Sequence, residues 1–305
     1  MKPTLVIITG PTGIGKTDLS LEVASHFNTE IISADSRQMF REMKIGTAVP
    51  GEEILSRIRH HFIHSHSIQD SYTAGRFETD VMALLGSLFT KVTVVVMTGG
   101  SMLYLDAVCK GIDDLPSVDP ELRSSLVSRY HEEGIESLRF ELKRIDPVYY
   151  RQVDLHNPKR LLHALEISIM AGKPYSELRT HPHKQRDFRI IKIGLTAERE
   201  LIYDRINERV DRMVSGGLEE EARSLMAYRT NNALNTVGYR EWFDFFDGKC
   251  SREAAIEQIK SNTRRYARKQ LTWFRKDPLL VWFDISETGK VIPYIEAQLL
   301  QFERE

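Results

Sequence analysis

The feature that most constrains this chain is a glycine-rich stretch near its start, Gly10-Pro11-Thr12-Gly13-Ile14-Gly15-Lys16-Thr17. It has the G-x-x-x-x-G-K-T spacing of a phosphate-binding P-loop. An apolar, β-prone run at residues 5–9 comes before it, and Leu19, Val23 and Phe27 follow at helical spacing. Strand, tight loop and helix in that order commit the N-terminal part to an α/β layout. Gly10, Gly13 and Gly15 let successive N–H groups turn inward on phosphate oxygens. The helix N-terminus adds the positive end of its dipole. Lys16 brings a point charge, and the Thr17 hydroxyl can ligate Mg²⁺. The motif specifies a di- or triphosphate ligand and leaves the reaction open.

A second β-prone run, residues 30–33, ends in Ala34-Asp35-Ser36-Arg37-Gln38. The carboxyl ends of parallel strands line the ligand crevice, so Asp35 is expected beside the P-loop phosphates. It can cap the next helix, hold Mg²⁺ as a Walker-B-type acid, or act as a general base. A third run, residues 92–97, is continuously β-branched and reads as a strand buried on both faces. It leads into Thr98-Gly99-Gly100-Ser101-Met102-Leu103-Tyr104, which offers N–H groups and the Ser101 hydroxyl but no acid. That absence weakens an ATPase reading and moves metal or base duty onto Asp35. Ile45-Gly46-Thr47-Ala48 reads as a loop. His60, His61, His64 and His66 fall within seven residues, but no nearby cysteine or carboxylate completes a metal set. An exposed loop or RNA-facing residues are expected there.

Strand-like runs vanish over residues 116–185, and helices are expected at 119–133, 135–145 and 157–171. Asn157-Pro158 is a good helix start and Gly172 a good stop. Lys159, Arg160 and His163 sit beside Leu161, Leu162 and Leu165, either as solvated helix charges or as a nucleic-acid grip. The α/β pattern returns at 189–195. Thr196 is expected to cap a helix carrying Arg205, Arg209 and Arg212, which can reach the phosphate site as lid arginines do in small kinases. The aromatic run 242–246 reads as core. Residues 260–276 carry seven basic residues and no acid, in a chain of net charge −1. Ile259, Thr263, Tyr266, Ala267, Gln270, Leu271 and Phe274 share a face expected to pack inward. Arg264, Arg265, Arg268 and Lys269 lie outside that face, as an electrostatic footprint for nucleic acid.

The expected fold is therefore α/β: a P-loop NTPase-like parallel sheet flanked by helices, with an inserted all-helical domain. Residues 1–115 and 186–305 form the core and residues 116–185 the insertion. Two cysteines, Cys109 and Cys250, give neither a disulfide framework nor a metal spacing, which suits a reducing cytoplasm. The apolar runs are far shorter than the ~20 residues of a membrane span. The N-terminal run is too short for a signal peptide and leads straight into the P-loop.

In order along the chain, these motifs resemble the tRNA dimethylallyltransferases, also called tRNA isopentenyltransferases. The resemblance rests on the P-loop, Asp-Ser-x-Gln (35–38), Ile-Gly-Thr-Ala (45–48), His-His-Phe-Ile (60–63), Gly-Gly-Ser-x-Leu-Tyr (99–104) and Asp-Pro-Glu-Leu-Arg (119–123). It continues through Asn-Pro-x-Arg with Ala-Leu-Glu (157–166), Val-Gly-Tyr-Arg (237–240) and Arg-Lys-Gln-Leu-Thr-Trp (268–273). Ser101 stands where the family usually has Thr, and His64 where it usually has Asp. The resemblance implies transfer of a dimethylallyl group from dimethylallyl diphosphate to N6 of the adenosine 3′ of the tRNA anticodon. It implies that the P-loop, with Lys16 and Mg²⁺ on Thr17, holds the leaving diphosphate, and that Asp35 is the base. Ser101 and Arg123 would help place diphosphate and RNA. Contacts to the anticodon stem-loop would come from Asp35, Ser36, Arg37 and Gln38, from Ser101 and Arg123, and from Lys159, Arg160, Leu161, Leu162 and His163. Val237, Gly238, Tyr239 and Arg240, with Arg264, Arg265, Arg268 and Lys269, complete that set. A monomer with no membrane association is expected. Two other readings compete: a P-loop kinase of a small metabolite or nucleoside, and an RNA-dependent NTPase.

Overall fold

The computed structural model of the chain describes residues 2–113, 115–116, 119–180 and 184–304. Contacts divide it into two compact units, Met1–Cys109 with Gln185–Glu305, and Lys110–Lys184.

The first unit is built on a sheet of six described strands: β1 (Thr4–Thr9), β2 (Ile31–Ser33), β3 (His60–His61), β4 (Val94–Gly99), β5 (Arg189–Thr196) and β6 (Leu280–Asp284). Their order is β3-β2-β4-β1-β5-β6, and every neighbouring pair is parallel. β1 is buried along its whole length, as its unbroken apolar run requires of a strand covered on both faces. The helices of this unit are α1 (Lys16–His26), α2 (Glu52–Arg57), α3 (Ala74–Leu88) and α4 (Met102–Lys110), the last ending one residue into the second unit. The second unit is all-helical among its described residues: α5 (Pro120–Glu133), α6 (Ile135–Ile145), α7 (Pro147–Tyr150), α8 (Pro158–Ala171) and α9 (Tyr175–Leu178). Back in the first unit follow α10 (Arg199–Ser215), α11 (Leu218–Ser224), α12 (Arg240–Phe246), α13 (Arg252–Phe274) and α14 (Val291–Arg304).

Register is what positions the site. Thr9 stands opposite Gly99 on one side and Gly194 on the other, and Ser33 stands opposite Thr98. The P-loop, the Asp35 turn and the Gly99–Gly100 turn therefore leave the sheet at the same edge, where parallel α/β sheets bind ligands. β4 ends two residues later than its β-branched run, because Gly99 still pairs. A Cβ there would lie 2.2 Å from the Ala34 carbonyl oxygen, so only glycine lets the two turns approach so closely.

Two local expectations are corrected, and one strand is added. His60–His61 is not a loop but the edge strand β3, parallel to β2 and half-buried. Thr196 ends β5 rather than capping a helix; α10 begins at Arg199 with no side-chain cap. β6, which the sequence reading does not anticipate, extends the sheet beyond β5. The aromatic run on α12 is core at Trp242 and Phe243, 0% and 6% exposed.

In the helical unit, Asp119 and Asn157 cap α5 and α8 through their side chains, with Pro120 and Pro158 as first helical residues. Leu126, Leu138, Leu142, Leu161 and Leu165 form the unit's own core. The buried Asp146 carboxylate accepts from Tyr149 N, Ser176 N and Ser176 Oγ, which ties α7 to α9.

Candidate active site

The P-loop wraps the start of α1, with Gly15 in the left-handed region at φ 104°. Lys16 Nζ donates to the carbonyls of Gly10 and Pro11, at 3.0 and 2.9 Å. Two helices brace the loop from outside. From α10, Arg205 donates to Ile14 O (3.2 Å) and Arg209 to Thr12 Oγ1 (3.1 Å). From α13, Gln270 accepts from Thr12 N (2.9 Å) and donates to Gly100 O (2.9 Å), which pins the P-loop to the turn after β4. The sequence places Gln270 on an inward face, and it is 1% exposed, but its role as a polar bridge has no sequence signal. Its partner Thr12 lies 258 positions away.

These elements enclose a cavity of about 510 Å³. Its polar lining includes residues 12–17, Asp35, Gln38, Arg209, Arg212 and Gln270; its apolar lining includes Ile45, Ala48, Pro50, Ile63 and Met213. Burial pushes Lys16 down to about 7, Arg209 adds to the effect, and Asp35 opposes it. Burial also lowers Arg209 and Arg37, against the pull of Asp35 on both. Lys16, Arg209 and Arg212 share this cavity with the Asp35 carboxylate, an excess of positive charge suited to an anionic ligand.

Asp35 Oδ1 accepts from Arg37 N (2.9 Å) and Gln38 N (3.3 Å), so one oxygen makes the turn-capping bonds. Oδ2 has no hydrogen-bond partner among the described residues, and Asp35 lines the cavity. Both the capping and the chemical readings of this residue therefore fit, one on each oxygen. Ser101 Oγ accepts from Ser36 N (2.8 Å) and donates to Ser36 Oγ (3.1 Å), joining the turns after β2 and β4. Arg37 donates to Asn232 O (3.1 Å). Gln38 Nε2 donates to the carbonyls of Thr47 and Ala48, both at 3.1 Å, so its amide faces protein.

Several expected RNA contacts are committed elsewhere. Tyr239 is 0% exposed, its ring lies against Gly46, and its hydroxyl donates to Glu221 Oε1 (2.7 Å). Gly238 is buried and Val237 half-buried, which leaves Arg240 exposed from that motif. Leu161 and Leu162 are core of the helical unit, 0% and 9% exposed. Arg264 turns to Asn207 Oδ1 (2.5 Å) instead of outward. Arg265, Arg268 and Lys269 are exposed and line an open groove with Met102, Trp273 and Lys276.

Within the helical unit, Arg123 is ion-paired with Glu166 at 3.3 Å. Lys159 and Arg160 are exposed. They border a hollow of about 570 Å³ with Tyr149, Asn157, His163, Tyr175 and Arg179. Burial, reinforced by Arg123, lowers the His163 pKa from its ordinary value.

Among the described residues no cluster of three or more His, Cys, Asp or Glu could hold a metal. The Thr17 hydroxyl and the Asp35 carboxylate, both lining the cavity, are hard oxygen donors that fit a Mg²⁺ shared with a diphosphate. Among the described residues no helix is long and apolar enough to cross a membrane.

The sequence profile of the family described as IPP transferase matches residues 38–277. The chain is 52% identical over 297 residues to tRNA dimethylallyltransferase 1 of Phocaeicola vulgatus, covering 97% of this chain and 99% of the relative. It is 54% identical over 300 residues to the tRNA dimethylallyltransferase of Christiangramia forsetii, covering 98% and 99%. Its fold is similar to the crystal structure of full-length tRNA isopentenylpyrophosphate transferase from Bacillus halodurans, with a TM-score of 0.74 and 33% identity over 99% of each chain.

Proposed function

The chain belongs to the IPP transferase family, and from that premise we propose that it transfers a dimethylallyl group from dimethylallyl diphosphate to N6 of the adenosine 3′-adjacent to the anticodon of tRNA. The observation that carries the reading is the pairing of Asp35 with a desolvated cationic P-loop in one cavity. The same membership displaces the small-metabolite kinase and the RNA-dependent NTPase.

The diphosphate lies on the P-loop N–H groups and Lys16, with Arg209 and Arg212 at its outer side. The five-carbon chain lies on the apolar lining. The Thr17 hydroxyl would hold Mg²⁺, which would supply positive charge against the leaving diphosphate. The chain's own residues do the rest. The allylic C1–O bond breaks, its electron pair leaves with the diphosphate, and Lys16 and the loop N–H groups meet the growing negative charge. The adenine N6 lone pair is delocalised into the ring, so the amine needs help as a nucleophile. Asp35 Oδ2 accepts a hydrogen bond from N6 and takes its proton as the N6–C1 bond forms. The target base leaves the loop stack to reach the cavity. Exposed Lys159, Arg160, Arg240, Arg265, Arg268 and Lys269 hold RNA phosphates, and the helical unit contacts the anticodon stem-loop. We propose that the enzyme acts as a monomer, and a tRNA substrate supports a cytoplasmic location.

Incubation with unmodified tRNA, dimethylallyl diphosphate and Mg²⁺, followed by nucleoside mass analysis, tests this. The expected product is N6-dimethylallyladenosine. ATP turnover on a small acceptor, with no modified nucleoside, would overturn the reading.

A further inference from the structure

The loop over residues 44–48 contributes Ile45 and Ala48 to the cavity lining, and one carboxylate gathers three of its backbone N–H groups. Glu221, from α11, accepts from Lys44 N (2.9 Å) and Ile45 N (2.8 Å) on Oε2, and from Gly46 N (2.9 Å) on Oε1. The buried Tyr239 hydroxyl adds a fourth bond at 2.7 Å. Four donors converge on one acidic side chain, three of them consecutive backbone N–H groups. The Tyr239 ring also fixes how near the loop can come, because a Cβ at Gly46 would meet it at 2.6 Å. On its far side the loop presents carbonyls: Thr47 O takes Gln38 Nε2 (3.1 Å) and Arg209 Nη2 (3.4 Å), and Ala48 O takes Gln38 Nε2 (3.1 Å). The clamp thus runs from Glu221 through the loop to a neighbour of Asp35 and to a phosphate-side arginine. Ile45 and Ala48, carried on the clamped loop, line the cavity together with Pro50, Ile63 and Met213.

We propose that Glu221 and Tyr239 are positioning residues that set prenyl-chain selectivity, by fixing the distance of the Ile45–Ala48 wall from the diphosphate site. The inference rests on the function proposed above, because it needs a prenyl diphosphate in this cavity. Loss of the clamp lets the wall recede: the five-carbon chain loses contact and longer chains gain room. Shape in an apolar pocket discriminates by about 10- to 200-fold per methylene-sized difference, so a moved wall shows first in selectivity.

The test compares wild type, Glu221→Gln and Tyr239→Phe with dimethylallyl and geranyl diphosphate as donors, at saturating tRNA. The Gln amide presents N–H where the carboxylate accepted, so it sets donor against donor at the loop. Tyr239→Phe keeps the ring against Gly46 and removes one bond, and it serves if Glu221→Gln does not fold. The expected result is a KM for dimethylallyl diphosphate raised about tenfold in Glu221→Gln, with kcat changed less. The preference for the five-carbon donor falls about tenfold, with smaller shifts of the same sign in Tyr239→Phe, and tRNA affinity stays within twofold. Folded variants with unchanged donor KM and selectivity overturn the proposal, as does a change confined to tRNA affinity. A wild type that transfers neither donor overturns the underlying function instead, so the two failures are distinguishable.

Discussion

In the P-loop cavity Lys16 and Arg209 are drawn out of water and lowered from their ordinary pKa values. In the helical unit Lys159 and Arg160 stand exposed beside Tyr149 and Tyr175. The same residue types do different work because their dielectric surroundings differ. A desolvated cation interacts strongly with charge that develops in a transition state, and this is costly to arrange without an anion present. An exposed cation gives up little water and gains little per contact, but several of them hold a polyanion in a salt-sensitive way. On this contrast, changes in the cavity alter the rate, and changes on exposed faces alter affinity for RNA.

The largest expected effect is at Asp35. In Asp35→Asn the amide oxygen can still accept from Arg37 N and Gln38 N, so the turn survives, but the group facing the cavity no longer takes a proton. We expect kcat to fall by ~10²–10⁴, the range for positioned acid–base catalysis, with binding of both substrates within a few-fold. Single-turnover rates measured against Mg²⁺ concentration decide the role. A rate restored by excess Mg²⁺ or Mn²⁺ makes Asp35 a metal ligand instead of a base. Next in size is Lys16→Ala, which should lower kcat by ~10²–10³, the scale for one preorganised donor, and leave tRNA affinity nearly unchanged. Wild-type turnover in that variant would place diphosphate departure away from the P-loop.

How much of this was legible in the sequence depends on the range of the interactions. The P-loop and the Asp35 turn follow from local spacing, and the strands that carry them show as the apolar run of β1 and the short Ile31-Ile32-Ser33 of β2. The caps at Asn157 and Gly172 are equally local, and α8 starts and stops where they say. β3 escaped notice because two histidines pair only as an edge, with no alternation to show it. Gln270 was assigned to packing because helical spacing reveals which face is inward but not what that face touches. Glu221 sits in Leu-Glu-Glu-Glu-Ala, where a clamp and a solvated acidic run look alike. The same holds for Tyr239: its motif marks the residue as constrained without saying that the constraint is burial.

A smaller effect follows from the lowered pKa of Lys16. Near pH 8 the empty cavity holds Lys16 largely neutral, since burial puts its pKa at about 7. A bound diphosphate favours the ammonium form, so binding above pH 7 takes up a proton. Diphosphate affinity should therefore fall as pH rises beyond 7, by up to about tenfold per unit for one linked proton, and Lys16 should add no slope well below 7. Calorimetry in two buffers of different ionisation heat reads the uptake directly. Lys16→Ala should abolish it, and proton uptake that persists in that variant assigns the linkage to another group.

The smallest effects belong to the exposed cations, and they test the comparison from its other side. Arg268 and Lys269 line an open groove with Trp273, whereas Arg264 on the same helix is held by Asn207 and lies 6.0 Å from the Tyr203 ring centroid. If phosphate contact requires exposure, Arg268→Ala and Lys269→Ala should each lower the log–log salt slope of tRNA binding by about 0.7 to 0.9. Lys159→Ala and Arg160→Ala in the helical unit should act in the same way. Turnover at saturating tRNA should hardly change in any of the four. Arg264→Ala should leave the slope as it is, because its guanidinium is already committed to protein. Binding titrations from low to moderate salt measure all five variants. A slope that drops for Arg264 as much as for Arg268 would mean that RNA draws the inward arginine out, and the division between buried and exposed cations would fail on this helix.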